Sequence, residues 1–420
     1  MSKILLLDYY VFYLVLFSLP FGMNVFIPIL FAWLCLVAIS YFVKRDYSTN
    51  RFRGLLLLPA LFYLFHLLGV ALSSDIEGGL FDFQIKLSLL LLPLLYPFHR
   101  EIYKKSRASF FWSFVFGCAA ASLYFIGYAV YQTSTFVNGV WVFNPTPEKG
   151  MNSHFFGSTF SYLIHPSYLS LYFLVAFLII GVELNRWWRK GFAIRTVVIL
   201  TATLLMTSLF MLQSRAGILG FGLLAFVWLI YLVLAKRRYL LGLGVLVALL
   251  VLSFFVVTRL DRISKTAKSL EKTAQVGIKN QNKEDGTTVR LWIWKSAFSV
   301  IHDHPVWGIG TGDIRDEMHK QYESRGMAIS AQYRHNAHNQ YLETWLGVGI
   351  FGLLALLAML FVPLWIGIKK RDWLLVGFIC LCSTSFMFES MLNSVVGVGF
   401  FAIFYTVLVS RKAETNVPMS

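Results

Sequence analysis

The chain has 420 residues, of which 57% are hydrophobic and only 14% are charged, and its mean hydropathy is +0.66. A soluble globular domain usually contains about 25% charged residues, so the composition excludes an ordinary soluble domain and indicates a polytopic helical membrane protein. The net charge of +16 is scattered over short loops, which argues against a nucleic-acid-binding surface.

Apolar runs follow one another along the whole chain, and many reach the ~20 residues that a helix needs to cross a bilayer. They lie at 5–21, 24–43, 54–72, 80–98, 108–131, 166–184, 194–213, 216–235, 239–257, 340–367, 373–389 and 393–410. We therefore predict an all-α polytopic membrane protein with about twelve transmembrane helices. Asp8 interrupts the first run and no small-residue cleavage site follows it, so we expect an uncleaved helix.

Lysine and arginine are distributed unevenly between the loops. They are concentrated in the segments KRDYSTNRFR, HREIYKKSR, NRWWRKGFAIR, KRR and KKR. Only Lys149 and Arg215 occur in the short loops on the opposite side. Cytoplasmic loops of membrane proteins are enriched in these residues, so we expect both termini in the cytoplasm and the long loop 258–339 outside.

The loop 258–339 is the largest stretch outside the predicted helices. In VRLWIWKSAFSVIHDHP, apolar residues recur at roughly helical spacing at Leu291, Trp294, Ala297 and Val300/Ile301. This pattern predicts an amphipathic helix on the membrane surface that ends at Pro305. The following GIGTGD predicts a tight turn before a second, short polar helix, or alternatively a phosphate-binding nest.

Three basic residues stand at the external ends of predicted helices. They are Arg215 in MLQSRAG, Arg290 at the start of the amphipathic helix, and His338 before the tenth apolar run. The predicted topology puts all three on one side of the membrane. Each also has an ordinary explanation, because arginines at helix ends extend to lipid headgroups and a histidine there can simply bond a carbonyl.

The tenth run has a further pattern if its helix is regular. One helix face would then contain His338, Leu342, Trp345, Gly349 and Gly352. A face with a histidine at its polar end and glycines deeper suits a groove for a lipid chain, or ordinary close packing of helices.

Three motifs in this region resemble those of one known family. The segment HNQYLETWLGVGIFG fits the pattern H-[N/S/Q]-x9-G-x-x-[G/T/Y] and resembles bacterial O-antigen ligases, with the defined positions at His338, Asn339, Gly349 and Gly352. The upstream part of the same Wzy_C-type domain has an arginine, a tryptophan, a His-Pro pair and a glycine-rich turn, here Arg290, Trp294, His304, Pro305, Gly308 and Gly310. Ser214 and Arg215 resemble its Ser-Arg-small element, and the resemblance covers about residues 160–365.

The resemblance implies an enzyme: a glycosyltransferase that moves a glycan from a polyprenyl-diphosphate carrier, such as undecaprenyl diphosphate, onto lipid A–core oligosaccharide. It implies His338, Arg290 and Arg215 as catalytic residues. It also suggests contacts to the diphosphate or glycan from Asn339, Tyr341, His304 and Trp294. Neither a metal nor another cofactor is expected, because arginines can neutralise a diphosphate leaving group. His338 would either accept the proton of the acceptor hydroxyl or bind the diphosphate.

The resemblance also suggests a location and a division of the chain. We expect a multi-pass protein of the bacterial inner membrane with its active face in the periplasm. The expected regions are N-terminal transmembrane helices in 1–159, a ligase-like region in 160–365, and C-terminal helices with a cytoplasmic tail in 366–420. The expected partners are the donor, the acceptor and membrane lipids, without nucleic acid.

Three other functions are compatible with parts of the sequence. A polymerase of the same superfamily would move the glycan onto another lipid-linked repeat unit. A transporter of lipid-linked oligosaccharides would also have about twelve spans, but no acidic relay near the midplane is evident. A metal hydrolase could use the pairs His302/His304 and His335/His338, although the H-E-x-x-H arrangement is absent.

Overall fold

The computed structural model describes residues 3–44, 54–144, 153–230 and 286–410, and these are mostly helical. The helices are α1 (Lys3–Ser18), α2 (Met23–Lys44), α3 (Gly54–Leu72), α4 (Ile76–Ile85), α5 (Ser88–Thr133), α6 (Pro166–Trp188), α7 (Phe192–Met211), α8 (Arg215–Ile230), α9 (Gly286–Asp303), α10 (Ile314–Ser324), α11 (Ala328–Gln332), α12 (Gln340–Lys369), α13 (Trp373–Phe386) and α14 (Val395–Ser410). Short 3-10 turns lie at Leu19–Phe21 and Met391–Asn393. The predicted all-α character is confirmed, apart from one small hairpin.

Seven helical segments in the described part of the chain are long and apolar enough to cross a membrane. They are Met23–Ser40, Gly54–Leu72, Ile76–Leu95, Ser109–Thr133, Pro166–Leu184, Phe192–Met211 and Gln340–Lys369. Shorter apolar helices lie at Leu7–Phe21, Arg215–Ile230, Trp373–Phe386 and Val395–Ser410. The chain is thus a multi-pass membrane protein. The number twelve stays a prediction, because the run 239–257 and the loop 258–285 lie outside the described residues.

Helix α5 differs from the sequence prediction. Its backbone is helical from Ser88 to Thr133, including the basic segment 99–107 that we predicted as a loop between two spans. The helix propensity of HREIYKKSR, which contains no glycine or proline, explains this. After α5 the chain forms the hairpin β1 (Ser134–Val137) and β2 (Val140–Phe143).

Helix α12 is broken at Gly349, where the backbone has φ 66° and ψ −164°. The loop after α9 lies in the break. Ile309 N–H donates to the carbonyl of Leu346 at 2.8 Å, and Ile350 N–H donates to the carbonyl of Pro305 at 3.1 Å. A broken helix leaves backbone N–H and C=O groups unpaired, and unpaired groups are destabilising in apolar surroundings. The bonds from the loop pair these groups.

The break overturns the predicted common face of His338, Leu342, Trp345, Gly349 and Gly352. A common face requires a regular helix, and the backbone is not helical at Gly349. Trp345 instead uses its indole N–H for a 2.9 Å bond to the Pro305 carbonyl. Gly349 serves the junction between the helix and the loop, where a Cβ would meet Val306 and Trp307.

Replacing Gly349 by alanine should lower the thermal stability of the protein strongly. A Cβ at this position would lie 2.0 Å from the Val306 carbonyl oxygen, and the backbone conformation alone is unfavourable for other residues by about 1–3 kcal/mol. The matched control is Gly222→Ala in α8, where the added Cβ meets open space. Equal melting temperatures of the two variants in detergent would contradict the expectation.

The predicted amphipathic helix is confirmed as α9, which ends at Asp303. Most of its predicted face is buried, including Ala297, Val300 and Ile301, whereas Leu291 is 40% exposed and Ile293 is buried in its place. This face belongs to a second hydrophobic core, shared with α10 and the first turns of α12 through residues such as Met318, Tyr322, Leu342 and Leu346. Its predicted place on a membrane surface stays a prediction.

The segment GIGTGD forms a tight turn that docks against the connection between α3 and α4. The Asp313 carboxylate accepts the N–H groups of Ser74 and Asp75 at 2.7 and 2.8 Å. In return, Gly312 N–H donates to Ser73 Oγ at 2.9 Å, and Thr311 N–H donates to a backbone carbonyl of α3. The turn's amides are therefore engaged within the protein, which favours the tight turn over the phosphate nest.

Candidate active site

A cavity of about 660 Å³ opens where α6, α8, α9 and α12 begin. It falls within the ~300–1,000 Å³ range of small-molecule sites. The basic side chains in its wall are Arg215, Arg290, His165, His335 and His338. The structure thus brings the three residues predicted as catalytic to one place, although they are far apart in sequence. We call it the arginine–histidine cavity.

Local sequence fixes several of these side chains at helix starts. Ser214 Oγ accepts the Gly217 N–H at 3.1 Å, so α8 begins with Arg215. His165 precedes the first helical residue of α6, and its Nδ1 accepts the Ser167 N–H at 3.3 Å. Side chains that cap orphan amides define where a helix begins, so the positions of both basic residues follow from the capping.

His338 occupies an unusual backbone position just before α12. Its φ of 44° lies in the left-handed region, which is unfavourable for most side chains. Two asparagines stabilise this turn. Asn336 Oδ1 accepts the His338 N–H at 3.0 Å, and Asn339 Oδ1 accepts the Tyr341 and Leu342 N–H groups at 2.9 and 3.2 Å. Strained residues held in this way are common at functional sites.

Glu389 connects the basic residues at the cavity. It lies between α13 and the turn Met391–Asn393, and its side chain is only 6% exposed. Arg290 donates to Oε1 at 2.7 Å, and His338 Nδ1 lies 3.1 Å from Oε2. Ser167 Oγ is 3.4 Å from Oε1, and His165 Nδ1 is 4.0 Å away. A buried carboxylate needs such partners.

The protonation of this cluster follows from its charges. Burial by itself would raise the pKa of Glu389, but the hydrogen bond from His338 and the nearby His165 and Arg290 outweigh it, so the pKa lies below its ordinary value. The carboxylate is therefore ionised at neutral pH and accepts the Nδ1–H of His338. In a neutral ring this arrangement leaves Nε2 as the nitrogen that can accept a proton.

The charge of Arg215 acts on Arg290. Burial lowers the pKa of Arg290, the Glu389 carboxylate opposes this shift, and the positive charge of Arg215 lowers the pKa further. Partial burial and the nearby His338 likewise lower the pKa of His335. Neighbouring guanidinium groups are suited to an anionic ligand with several oxygens, such as a diphosphate.

The other four predicted contact residues have different surroundings. Asn339 caps α12, and the Tyr341 hydroxyl donates to the Ser383 carbonyl at 3.0 Å. Trp294 Nε1 donates to the Ala337 carbonyl at 3.1 Å and so supports the segment before His338. His304 is exposed beyond the end of α9. Within the described residues, none of the four lines the arginine–histidine cavity, and their contact with substrate stays a prediction.

Sequence reasoning assigned no role to Glu389 or His165. Glu389 lies in 366–420, outside the predicted ligase-like region, yet it contacts two of the three predicted catalytic residues. One signal was available, because an ionisable residue between two apolar helices, as in SFMFESMLNS, marks a functional site by default. His165 carried a weaker signal in the helix-start motif HPS.

Arg290→Lys should weaken the binding of a lipid-diphosphate donor by roughly 10–100-fold, which corresponds to losing one or two charge-assisted bonds. Lysine keeps the charge beside Glu389 but lacks the planar fork that binds two oxygens at once. The measurement is the Kd for undecaprenyl diphosphate in detergent. Arg186→Lys, at an exposed Arg–Glu pair, is the control, and equal affinities of the two variants would contradict the assignment.

Comparison with known proteins agrees with the motifs. Residues 200–357 match the Wzy_C family, described as O-antigen ligase. A stretch of 105 residues is 29% identical to an uncharacterized protein of Haemophilus influenzae (strain Rd) and covers 25% of this chain. The matched stretch spans 26% of that relative's length. The resemblance found in the sequence is thereby confirmed over residues 200–357, which are similar to the Wzy_C (O-antigen ligase) family.

Proposed function

We propose that this membrane enzyme is an O-antigen ligase, which transfers a glycan from a polyprenyl-diphosphate carrier onto lipid A–core oligosaccharide. One observation carries the proposal. Arg215, Arg290 and His338 line one cavity at the ends of apolar helices, and Glu389 links two of them. Both substrates have lipid tails in the bilayer and reacting groups just outside it, so a site at the helix ends suits both.

The reaction follows from the charges in the cavity. The acceptor hydroxyl attacks the anomeric carbon of the donor sugar, a new glycosidic C–O bond forms, and the bond to the diphosphate oxygen breaks. Arg215 and Arg290 neutralise the negative charge on the departing diphosphate through charge-assisted hydrogen bonds. The hydroxyl proton goes to Nε2 of His338. Arginines supply the positive charge in this scheme, so it requires no metal ion.

The contact with Glu389 supports the role of His338 as base over the role of diphosphate ligand. A carboxylate at Nδ1 orients the ring and stabilises the imidazolium that forms when Nε2 takes a proton. A histidine that only bound an anion would not need its second nitrogen held in this way. The His338–Glu389 pair is therefore the reactive pair of the proposed mechanism.

We further propose that the arginine–histidine cavity faces the periplasm of the inner membrane. The support is the distribution of Lys and Arg, which is low in the short loops on the side of Arg215 and high in those on the other side. Lipid-linked glycans are presented to such enzymes on the periplasmic side, so the donor, the acceptor and the cavity would share one compartment.

Deletion of the gene in its host tests which acceptor receives the glycan. Lipopolysaccharide and lipid-linked glycan from the deletion strain are separated on gels, with a strain complemented by the intact gene as control. A ligase predicts that long glycan disappears from the core while polymer remains on the carrier. A core that bears a single repeat unit would instead identify a polymerase of the same superfamily, and unchanged glycan profiles would overturn both.

A further inference from the structure

The proposed reaction assigns no part to His165, although this histidine lines the arginine–histidine cavity. It stands immediately before Pro166, the first residue of α6. Its side chain is 51% exposed, so a ligand in the cavity can contact it. The state of the two ring nitrogens decides which chemical group His165 presents to such a ligand.

One ring nitrogen of His165 is bonded to the backbone. Nδ1 accepts the Ser167 N–H at 3.3 Å, and the backbone angles φ −56° and ψ 136° are those of a residue that caps a helix. Pro166 has no N–H, so Ser167 carries the first amide of α6 that needs a partner. A nitrogen that accepts a hydrogen bond carries no proton, and in a neutral imidazole the proton is then on Nε2.

The surroundings of His165 favour the neutral ring. Partial burial lowers its pKa, the Glu389 carboxylate opposes this shift, and His338 and Arg290 lower the pKa further, so that it lies below its ordinary value. Glu389 forms no hydrogen bond with Nδ1, because its Oε1 is 4.0 Å away and already accepts a 2.7 Å bond from Arg290. Nε2 has no hydrogen-bond partner in the described part of the chain, so its N–H is available to a ligand.

The Glu389 carboxylate places His165 beside Arg290 and His338. Arg290 Nη2 and His165 Nδ1 lie 2.7 and 4.0 Å from the same oxygen, Oε1, and His338 Nδ1 lies 3.1 Å from Oε2. The two histidines are bonded in opposite ways, since Nδ1 of His338 donates to a carboxylate while Nδ1 of His165 accepts an amide. His338 therefore offers the cavity an acceptor at Nε2, and His165 offers it an N–H donor.

An N–H donor beside Arg290 is suited to an anionic oxygen of the ligand that the arginines bind. A diphosphate has several such oxygens, more than one guanidinium group can pair with. A neutral imidazole at the start of a helix is an effective hydrogen-bond donor. It adds a bond to the anion without adding a further positive charge beside Arg215 and Arg290, which already repel each other.

We propose that His165 donates a hydrogen bond from Nε2 to an oxygen of the donor's diphosphate, beside the bonds from the two arginines. The inference rests on the proposed function, since it names a further substrate-binding residue for the same reaction. Negative charge on the diphosphate grows as its bond to the sugar breaks, so the hydrogen bond strengthens in the transition state and contributes to the rate as well as to binding.

Two substitutions separate the roles of the two ring nitrogens. His165→Asn places an acceptor oxygen near the position of Nδ1 and removes the donor at Nε2. Asparagine is a good capping residue, so the melting temperature should stay close to that of the parent. His165→Gln has a longer side chain, which places an NH2 donor near the position of Nε2 but removes the cap, so its melting temperature should fall. His302→Asn, at an 89% exposed histidine, is the matched control.

Binding is measured on the full chain in detergent, with undecaprenyl diphosphate as the probe. His165→Asn should raise the Kd by roughly 10–100-fold, the effect of one hydrogen bond to a charged group. His165→Gln should remain within about 3-fold of the parent despite its lower stability, and His302→Asn should equal the parent. An unchanged Kd in His165→Asn would reduce His165 to a helix cap, and equal losses in the Asn and Gln variants would show that the donor at Nε2 is not what matters.

A competition experiment and a transfer assay complete the test. Excess phosphatidylglycerol should not displace the probe, and displacement would mean that His165 serves a general site for lipid headgroups. With purified donor and acceptor, His165→Asn should also lower turnover by at least about 10-fold, and normal turnover would overturn the part of His165 in the transition state. If the parent transfers no glycan but the Kd still depends on His165, the proposed function fails and the diphosphate contact stands.

Discussion

Replacing His338 by alanine should reduce the turnover of glycan transfer by roughly 10²–10⁴-fold, the usual contribution of a general base. The affinity for the lipid-diphosphate donor should stay nearly the same, because the arginines bind the diphosphate. Single-turnover rates and donor Kd values separate these two effects.

The control for this variant is His302→Ala, which changes an 89% exposed histidine at the end of α9 and should leave transfer unchanged. A His338→Ala variant that loses donor affinity instead of turnover would make His338 a ligand of the diphosphate. Normal turnover together with normal affinity would remove His338 from the mechanism and leave it as a residue that begins α12.

Glu389→Gln should be almost as damaging as His338→Ala, although Glu389 need not touch the substrate. The substitution keeps the shape but removes the charge that orients His338 and stabilises its protonated form, so turnover should fall by at least about 10²-fold. Arg290, whose side chain is only 23% exposed, loses its ionic partner as well. Removing one member of a buried pair destabilises a protein by about 3–5 kcal/mol, so the melting temperature should also fall.

The role of Glu389 can also be tested by measuring the melting temperature of this variant at different pH values. The pKa of Glu389 is lowered in the folded protein, so its ion pairs stabilise the fold above the ordinary carboxyl pKa, and this contribution is lost as the pH falls through the lowered value. The difference in melting temperature between the parent and Glu389→Gln should therefore be large at neutral pH and small in acid. Glu183→Gln, at the surface pair with Arg186, should show no comparable change.

The sequence predicted the helical membrane protein well, because long apolar runs have few alternatives to a membrane helix. It also singled out Arg215, Arg290 and His338, which the structure brings to one cavity, since each is a motif residue near the start of a helix; their catalytic role stays a prediction. It could not predict that Glu389 lies between Arg290 and His338. Those bonds span 99 and 51 positions of the sequence, and the packing of α12 against both α9 and α13 brings the residues together.

The break in α12 was missed for a different physical reason. Helical periodicity assumes continuous backbone hydrogen bonding, and the sequence LGVGIFG is compatible with a regular helix. The break is stable because the loop after α9 supplies the missing partners. Such a partnership depends on a segment about 40 residues earlier in the chain, and a pattern within the helix alone contains no trace of it.

The filled break at Gly349 also determines which parts of the chain hold the reactive groups. The loop after α9 bonds to α12 on both sides of Gly349, and the second core packs α9 against the first turns of α12. Arg290 on α9 and His338 before α12 therefore belong to one packed unit that bridges the break. Glu389 follows α13, so its bonds to Arg290 and His338 tie this unit to the end of a different apolar helix.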